Sequence, residues 1–330
     1  MKVLVTGGGG FLGKALARRL LERGESVRSF SRGEYPELSA LGVEVHRGDL
    51  ADPAAVAAAC EGMDAVFHVG AKAGIWGAEK EYRLANVEGT RNVLEACRKA
   101  GVEKLVFTSS PSVVFGGADL EGVDESIPYP KRYEAAYPRT KAEAERRVLS
   151  ANGPELLTTA LRPHLIWGPG DNHLVPRLLA RSRAGALRRI LGPPCRVDST
   201  YIDNAVDAHL LALDRLSSPQ SPPAGKAYFI AQDEPMPLWE LIDRILEAAG
   251  EPPVRRSVSP KAAYAAGWLL ETVHRALGLS GEPRMTRFLA RELSTAHWFD
   301  LSAARRDLGY CPRVSTAEGL SRLKESFKGY

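Results

Sequence analysis

A short apolar strand, Val3-Leu4-Val5, runs into Thr6-Gly7-Gly8-Gly9-Gly10-Phe11-Leu12-Gly13 and then into a stretch with Leu12, Ala15, Leu16 and Leu20 at helical spacing. Strand, glycine turn and helix in that order leave few folds open. Gly7, Gly10 and Gly13 make a Gly-x-x-Gly-x-x-Gly pattern, in which the glycines allow, in turn, a tight turn, close approach of backbone to phosphate, and close packing of helix on strand. The helix N-terminus adds unpaired N–H groups and partial positive charge, so a dinucleotide pyrophosphate is the expected occupant. A glycine-rich loop by itself is often only a turn; its place between a first strand and a first helix is what gives it weight here.

The alternation continues. Strands are expected at 27–30, 43–46, 65–69, 104–108 and 156–161, with helices at 53–60, 82–100 and 137–151. Pro138 is tolerated in a first helical turn, where its missing N–H would have no partner. The predicted fold is α/β: a Rossmann-type doubly wound parallel sheet covered on both faces, with ligands at the carboxyl ends of the strands. Beyond Gly168 the pattern loosens into proline-rich turns and amphipathic helices at 173–184, 203–216, 238–249, 260–278 and 284–293. This part reads as a smaller, mostly helical substrate lobe, or lid. The expected division is a nucleotide-binding domain over 1–168 and a substrate-binding lobe mainly within 169–330. The chain returns to the first domain at about 196–231, because Tyr228-Phe229-Ile230 reads as one more strand.

Composition removes several function classes. Of 330 residues, 44% are hydrophobic and 25% charged, which is ordinary globular composition. The 44 basic and 40 acidic residues are scattered, without a basic block, so no nucleic-acid partner is expected. Cys60, Cys97, Cys195 and Cys311 are far apart and share no ligand spacing with the seven histidines, which predicts reduced thiols, a cytoplasmic location and no metal. No apolar run follows Met1 as in a signal peptide, and none reaches the roughly 18 to 20 residues of a membrane span.

At the end of the second strand, where an acidic residue would hold an adenosine 2′-hydroxyl, the chain has Ser31-Arg32. Arg32 can pair with a 2′-phosphate, so NADP(H) is favoured over NAD(H). Asp49 and Leu50 follow the third strand, where adenine would lie, although Asp49 also fits as a helix-initiating residue ahead of Pro53. Strand 104–108 delivers Thr108-Ser109-Ser110-Pro111-Ser112 to the carboxyl edge, and Tyr137 stands one helical turn before Lys141. With ten tyrosines and twelve lysines, chance alone supplies about 0.4 such pairs, so this one draws its weight from context. A serine hydroxyl can hold a substrate carbonyl oxygen while Tyr137 gives a proton to the forming alkoxide. Ser110 is the expected holder, with Ser112 also placed for it. An ammonium about 4 Å from the phenol, at an effective dielectric near 20, is worth about 4 kcal/mol, which would bring Tyr137 from about 10 towards neutral pH.

Thr6-Gly7-x-x-Gly10-x-x-Gly13, Ser110, Tyr137-x-x-x-Lys141, Asn86 within Ala85-Asn86-Val87-Glu88-Gly89-Thr90, and Arg162-Pro163 together resemble the extended short-chain dehydrogenase/reductase family over nearly the whole chain. The resemblance implies hydride transfer between nicotinamide C4 and a carbonyl carbon, Lys141 also holding the nicotinamide ribose, and a structural or proton-relay role for Asn86. The cofactor site would comprise Gly7, Gly10, Phe11, Leu12, Gly13, Ser31, Arg32, Asp49, Leu50, Lys141 and Pro163.

The segments 71–77, 165–173, 198–204 and 305–310, the first two above all, resemble the 3β-hydroxysteroid dehydrogenase branch. Within that branch they look like bacterial reductases of 2-alkyl-3-oxoalkanoates in long-chain olefin biosynthesis. That implies reduction of a hydrophobic β-keto acid to its 3-hydroxy acid, with Trp76, Ser112, Trp167, His173 and Arg177 as substrate residues and the last two facing the carboxylate. The stripe Ala266, Leu269, Leu270, Val273 and Leu277, followed by Phe288, Trp298 and Phe299, suits either an alkyl tunnel or ordinary core. The alternatives are an NAD(P)-dependent dehydrogenase of 3β-hydroxysteroids or other hydrophobic alcohols, and a non-catalytic dinucleotide sensor, which would not need Tyr137 or Lys141. A sugar-nucleotide dehydratase is disfavoured because Ser109-Ser110-Pro111 offers no acidic residue. A homo-oligomer is expected; assembly with other pathway enzymes and peripheral membrane contact through 260–278 are compatible with the sequence.

Overall fold

Seven parallel strands make the central sheet of the computed structural model, which describes residues 1–328. In chain order they are β1 (Lys2–Thr6), β2 (Ser26–Ser31), β3 (Glu44–Arg47), β4 (Ala65–His68), β5 (Lys104–Thr108), β6 (Leu157–Pro163) and β7 (Ala227–Ile230). Across the sheet the order is β7-β6-β5-β4-β1-β2-β3. The chain builds outward from β1 in one direction and then resumes on its other side at β4, so a crevice opens between the carboxyl ends of β1 and β4. Helices α1 (Phe11–Glu22), α2 (Pro53–Cys60), α3 (Gly89–Ala100) and α4 (Ala136–Ser150) connect the strands. The second half supplies α5 (Leu174–Arg183), α6 (Ile202–Arg215), α7 (Leu238–Ala248), α8 (Pro260–Ala276) and α9 (Arg287–Glu292).

Strand pleat explains the two cores. Val3 and Val5 join Leu12, Leu16 and Leu20 of α1 with Ala205 and Ala208 of α6 on one face, while Leu4 joins Val56, Val93, Cys97 and Val148 on the other. Each fully buried valine or leucine among them contributes about 1.5–3 kcal/mol. α6 lies within the segment 196–231 expected to return to the first domain, and it rests against the sheet beside α1, with Arg19 3.2 Å from Asp207 and Thr108 hydrogen-bonded to His209 at 2.8 Å. It is buried over most of its length, which a solvent-facing lid helix would not be.

The lobe contains a second, four-stranded sheet of Met236–Pro237, Arg196–Val197, His297–Phe299 and Leu120–Val123. These strands are two to four residues long and come from four distant segments, so no local periodicity announced them. The helix expected over 82–100 begins at Glu79 and carries a π-helical segment, Arg83–Glu88, that holds the buried Asn86.

A chain of buried hydrogen bonds crosses the molecule from β1 to α4. The Gly70 N–H donates to Thr6 Oγ1 at 3.1 Å, and Thr6 and Thr90 bracket the His68 ring at 2.8 and 2.9 Å. The Thr90 hydroxyl donates to the Asn86 carbonyl at 2.6 Å, so it accepts from His68 Nε2–H and leaves Nδ1 to accept from Thr6. Asn86 Nδ2 then donates to Thr140 Oγ1 on α4 at 3.1 Å and to the Lys72 carbonyl at 3.1 Å, while Oδ1 accepts the Lys72 N–H at 2.7 Å. Asn86 therefore ties the 69–78 loop to α4. Thr90→Val should strand the buried His68 N–H and lower unfolding free energy by about 1–3 kcal/mol in urea titration; an unchanged midpoint would contradict the network.

Candidate active site

The crevice between β1 and β4 is a cleft of about 610 Å³. Gly7 has φ +69°, and a Cβ there would stand 2.7 Å from the Gly70 Cα; a Cβ on Gly13 would stand 2.2 Å from the Gly7 carbonyl oxygen. No other residue type fits either position. α1 begins after Gly10 without a side-chain cap, so its first N–H groups remain free to donate to an anion. Gly7, Gly10, Phe11, Leu12 and Gly13 line one end of the cleft together with Ser31, Arg32, Asp49 and Leu50, and Tyr137 and Lys141 line the other. Elongated shape, bare helix terminus and hydroxyl-bearing far end suit a nicotinamide dinucleotide. Exposed Arg32 has no ion-pair partner among the described residues, and Ser31 Oγ accepts the Gly9 N–H at 3.2 Å. Asp52, not Asp49, caps α2, accepting from Ala54 and Ala55 at 3.0 and 3.2 Å, which leaves Asp49 facing the cleft. Pro163 lines the adjoining cavity rather than this cleft.

β5 ends at Thr108 and hands Ser110 to a 3-10 turn, Pro111–Val114. Ser110 Oγ accepts the Ser112 N–H at 3.2 Å and lies 2.9 Å from Ser112 Oγ. Burial pushes the Tyr137 phenol up to about 12, and the Ser110 hydroxyl pulls it back down. Burial likewise brings the Lys141 ammonium down to about 7, with Glu145 opposing. The expected lowering of Tyr137 by Lys141 is therefore overturned. Lys141 Nζ donates to the Thr108 carbonyl at 2.6 Å and lies 3.9 Å from the Phe107 ring centroid, so desolvation rather than the ammonium governs the phenol.

Beyond Tyr137 a cavity of about 260 Å³ contains Ser110, Ser112 and Pro163, and it shares Ile75, Leu165, His173, Arg177 and Glu292 with a second chamber of about 310 Å³. Leu174 and Leu178 of α5, Leu238, Ile242 and Ile245 of α7, and Leu289 of α9 wall the second chamber. Asp171 caps α5, accepting the N–H groups of His173, Leu174 and Val175 at 2.7, 3.2 and 2.8 Å, and so sets His173 where cleft and cavities meet. Arg177 is ion-paired with Glu282 at the cavity wall. Leu165, between the two chambers, has φ 43°, a strained conformation for a branched side chain.

Three expectations fail. Trp76 lines neither chamber: it packs edge-on against His274 at 6.0 Å and under Arg275, joining the 69–78 loop to α8. Trp167 is wholly buried, its Nε1 donating to Ser199 at 2.9 Å and its ring against Tyr201 at 5.4 Å. The stripe on α8 faces outward, with Leu269 55% and Leu277 68% exposed, because the packed face is Ala263, Gly267 and Glu271. Gly267 lets α8 meet the backbone at Thr286, and Glu271 grips Arg287 through its N–H and guanidinium at 2.7, 3.0 and 2.8 Å. Of the aromatic residues after the stripe, Phe288 and Phe299 reach the cavity.

His164, His297 and Glu292 line both chambers and carried no sequence signal beyond their type. His164 Nδ1–H donates to the Asp198 carbonyl at 2.5 Å, and the two imidazole rings meet edge-on at 5.7 Å. Burial drives His164 down to about 4 and His297 to about 3, so both are neutral, and drives Glu292 up to about 8. Among the described residues no group of three or more His, Cys, Asp or Glu could hold a metal ion, and no helix is long and apolar enough to cross a membrane.

Buried neutral groups make stability depend on pH. His68, His164, His209 and His297 sit at about 3 to 4, so below about 6.5 the unfolded chain takes up protons that the folded chain refuses, and their contribution falls with pH. Asp198, raised to about 7, and Glu292 act in the opposite sense, losing stability as pH rises from about 4 to 8. The imidazoles outnumber them, so the urea midpoint should drop between pH 7 and pH 5; a rise would contradict these assignments.

The 3-beta hydroxysteroid dehydrogenase/isomerase family model matches residues 4–259. The 2-alkyl-3-oxoalkanoate reductase of Stenotrophomonas maltophilia (strain K279a) is 54% identical over 99% of both chains. The protein of the same name from Shewanella oneidensis is 49% identical over 98% of this chain and 85% of its own. Among solved structures, MoeE5 in complex with UDP-glucose and NAD superimposes with a TM-score of 0.78 at 25% identity, covering 100% of this chain and 99% of the other.

Proposed function

The chain belongs to the 3-beta hydroxysteroid dehydrogenase/isomerase family of extended short-chain dehydrogenases/reductases, and from that premise we propose that this NAD(P)-dependent oxidoreductase uses NADPH to reduce the 3-keto group of a 2-alkyl-3-oxoalkanoate. The product is the 3-hydroxy acid, and the setting is olefinic hydrocarbon biosynthesis. The observation that carries this reading is the fork beyond Tyr137. Two chambers of about 260 and 310 Å³ diverge from one polar junction, as a substrate with an alkyl arm on each side of its reacting carbons requires. A rigid steroid, the alternative, has no use for a fork.

The nicotinamide supplies the hydride when bound. Gly7, Gly10 and the α1 N-terminus would hold the pyrophosphate, Arg32 the 2′-phosphate, and Lys141 the ribose hydroxyls. Ser110 donates to the substrate carbonyl oxygen, with Ser112 behind it, and Tyr137 gives its proton to that oxygen as negative charge develops. A phenol near 12 is fully protonated at neutral pH, the form a reductase needs at the start of each turnover. Division of the chain at about residue 168, with the return at 196–231, gives the sheet the cofactor and the lobe the alkyl arms.

Tyr137→Phe should fold and bind NADPH while turnover falls by about 10²–10⁴; a retained rate would remove Tyr137 from the mechanism. Arg32→Ala should raise the KM for NADPH by about 10- to 100-fold and leave that for NADH level. Equal losses with both cofactors would contradict the preference for NADPH.

A further inference from the structure

Glu292 closes α9 and projects into the space shared by both chambers. The side chain is half-buried and lines both chambers. Its carboxyl makes no side-chain hydrogen bond or ion pair among the described residues, although three of the polar groups around it have partners. Arg177 on α5 is paired with Glu282, and His164 donates to the Asp198 carbonyl. The Thr295 hydroxyl donates to the Arg291 carbonyl, so at 2.9 Å it accepts from His297 Nε2–H. Arg181 stands deeper, half-buried in the apolar chamber, and His173 faces the cleft as well as the cavities. Tyr137 lines the same cavity as Glu292. A free carboxyl and the proton donor therefore share the cavity that leads to the branch point. On the proposed substrate, the carboxylate belongs at this branch, on the carbon between the ketone and the second arm.

We infer that Glu292 in its protonated form recognises the carboxylate of the β-keto acid, donating its O–H to one carboxylate oxygen and fixing which arm enters which chamber. Two facing carboxyl groups cannot both ionise at hydrogen-bond distance, and the shared proton gives a short, charge-assisted bond. Enclosure supplies that proton in advance, since Glu292 is held neutral up to about pH 8. His164 and His297 are neutral beside it, and Arg177 is already paired with Glu282. The inference rests on the substrate class proposed above.

The test uses a 2-alkyl-3-hydroxy acid with two medium-length arms and its methyl ester, oxidised by the full-length protein with NADP⁺; the hydroxy acid, unlike the keto acid, keeps its carboxyl group during a pH series. In the wild type, KM for the acid should rise by about tenfold per pH unit above pH 8 while KM for the ester stays level. Glu292→Gln should abolish the acid's rise, because an amide N–H donates at every pH. Glu292→Ala should raise the acid's KM at pH 7 by about tenfold or more beyond any change with the ester. Without substrate, the wild type should lose thermal stability between pH 5 and pH 8 relative to Glu292→Gln, as expected of a carboxyl whose folded value is raised. Acid and ester profiles that run together in the wild type would overturn the inference without recourse to any variant. If neither compound is oxidised, the substrate class itself is wrong.

Discussion

The bond between His68 and Thr90 is the constraint on which the site depends. It sits midway along the line of hydrogen bonds from Thr6, beneath the glycine turn, to Thr140, one residue before Lys141. Each link is buried, and each hydroxyl has its proton committed, so the chain has one self-consistent direction. The distance between the glycine turn and the catalytic helix is thereby fixed by uncharged groups. His68 can serve only as neutral imidazole, and burial keeps it so, at about 3.

The same economy of charge governs the cavity. Tyr137 and Glu292 are raised and the histidines depressed by one cause, removal from water, so the groups facing the substrate present O–H and N–H rather than charges. Lys141 lines the cleft with Tyr137, and a backbone carbonyl and an aromatic face hold it. Leucine and isoleucine side chains of α5, α7 and α9 offer long apolar arms a wall to pack against. The site also keeps a proton on the phenol, which suits reduction.

Local rules made half of this legible. The glycine spacing, the alternation of strands and helices, and Tyr137 with Lys141 all follow from periods of two and 3.6 residues or from turn chemistry, and each strand expected in the first half is present. Where sequence and structure part, the deciding contact is remote in sequence. Trp167 has the sequence neighbourhood of a substrate residue, yet its indole lies against Ser199 and Tyr201. The apolar stripe on α8 is real, but Gly267 and Glu271 turn the opposite face inward to meet α9. Glu292 is invisible in the sequence because nothing in its neighbourhood marks it; only enclosure by separate segments makes it unusual. Desolvation of Tyr137 is likewise not contained in the Tyr-x-x-x-Lys spacing.

The central claim is that the forked cavity serves reduction of a branched β-keto acid. The most direct measurement is initial NADPH consumption with freshly prepared 2-alkyl-3-oxoalkanoates of graded arm length, beside a 3-ketosteroid control. The account predicts turnover of the acids, with kcat/KM climbing as both arms lengthen and levelling once the chambers of about 260 and 310 Å³ are filled, and little turnover of the steroid. Steroid turnover with inert keto acids, or indifference to arm length, would contradict it.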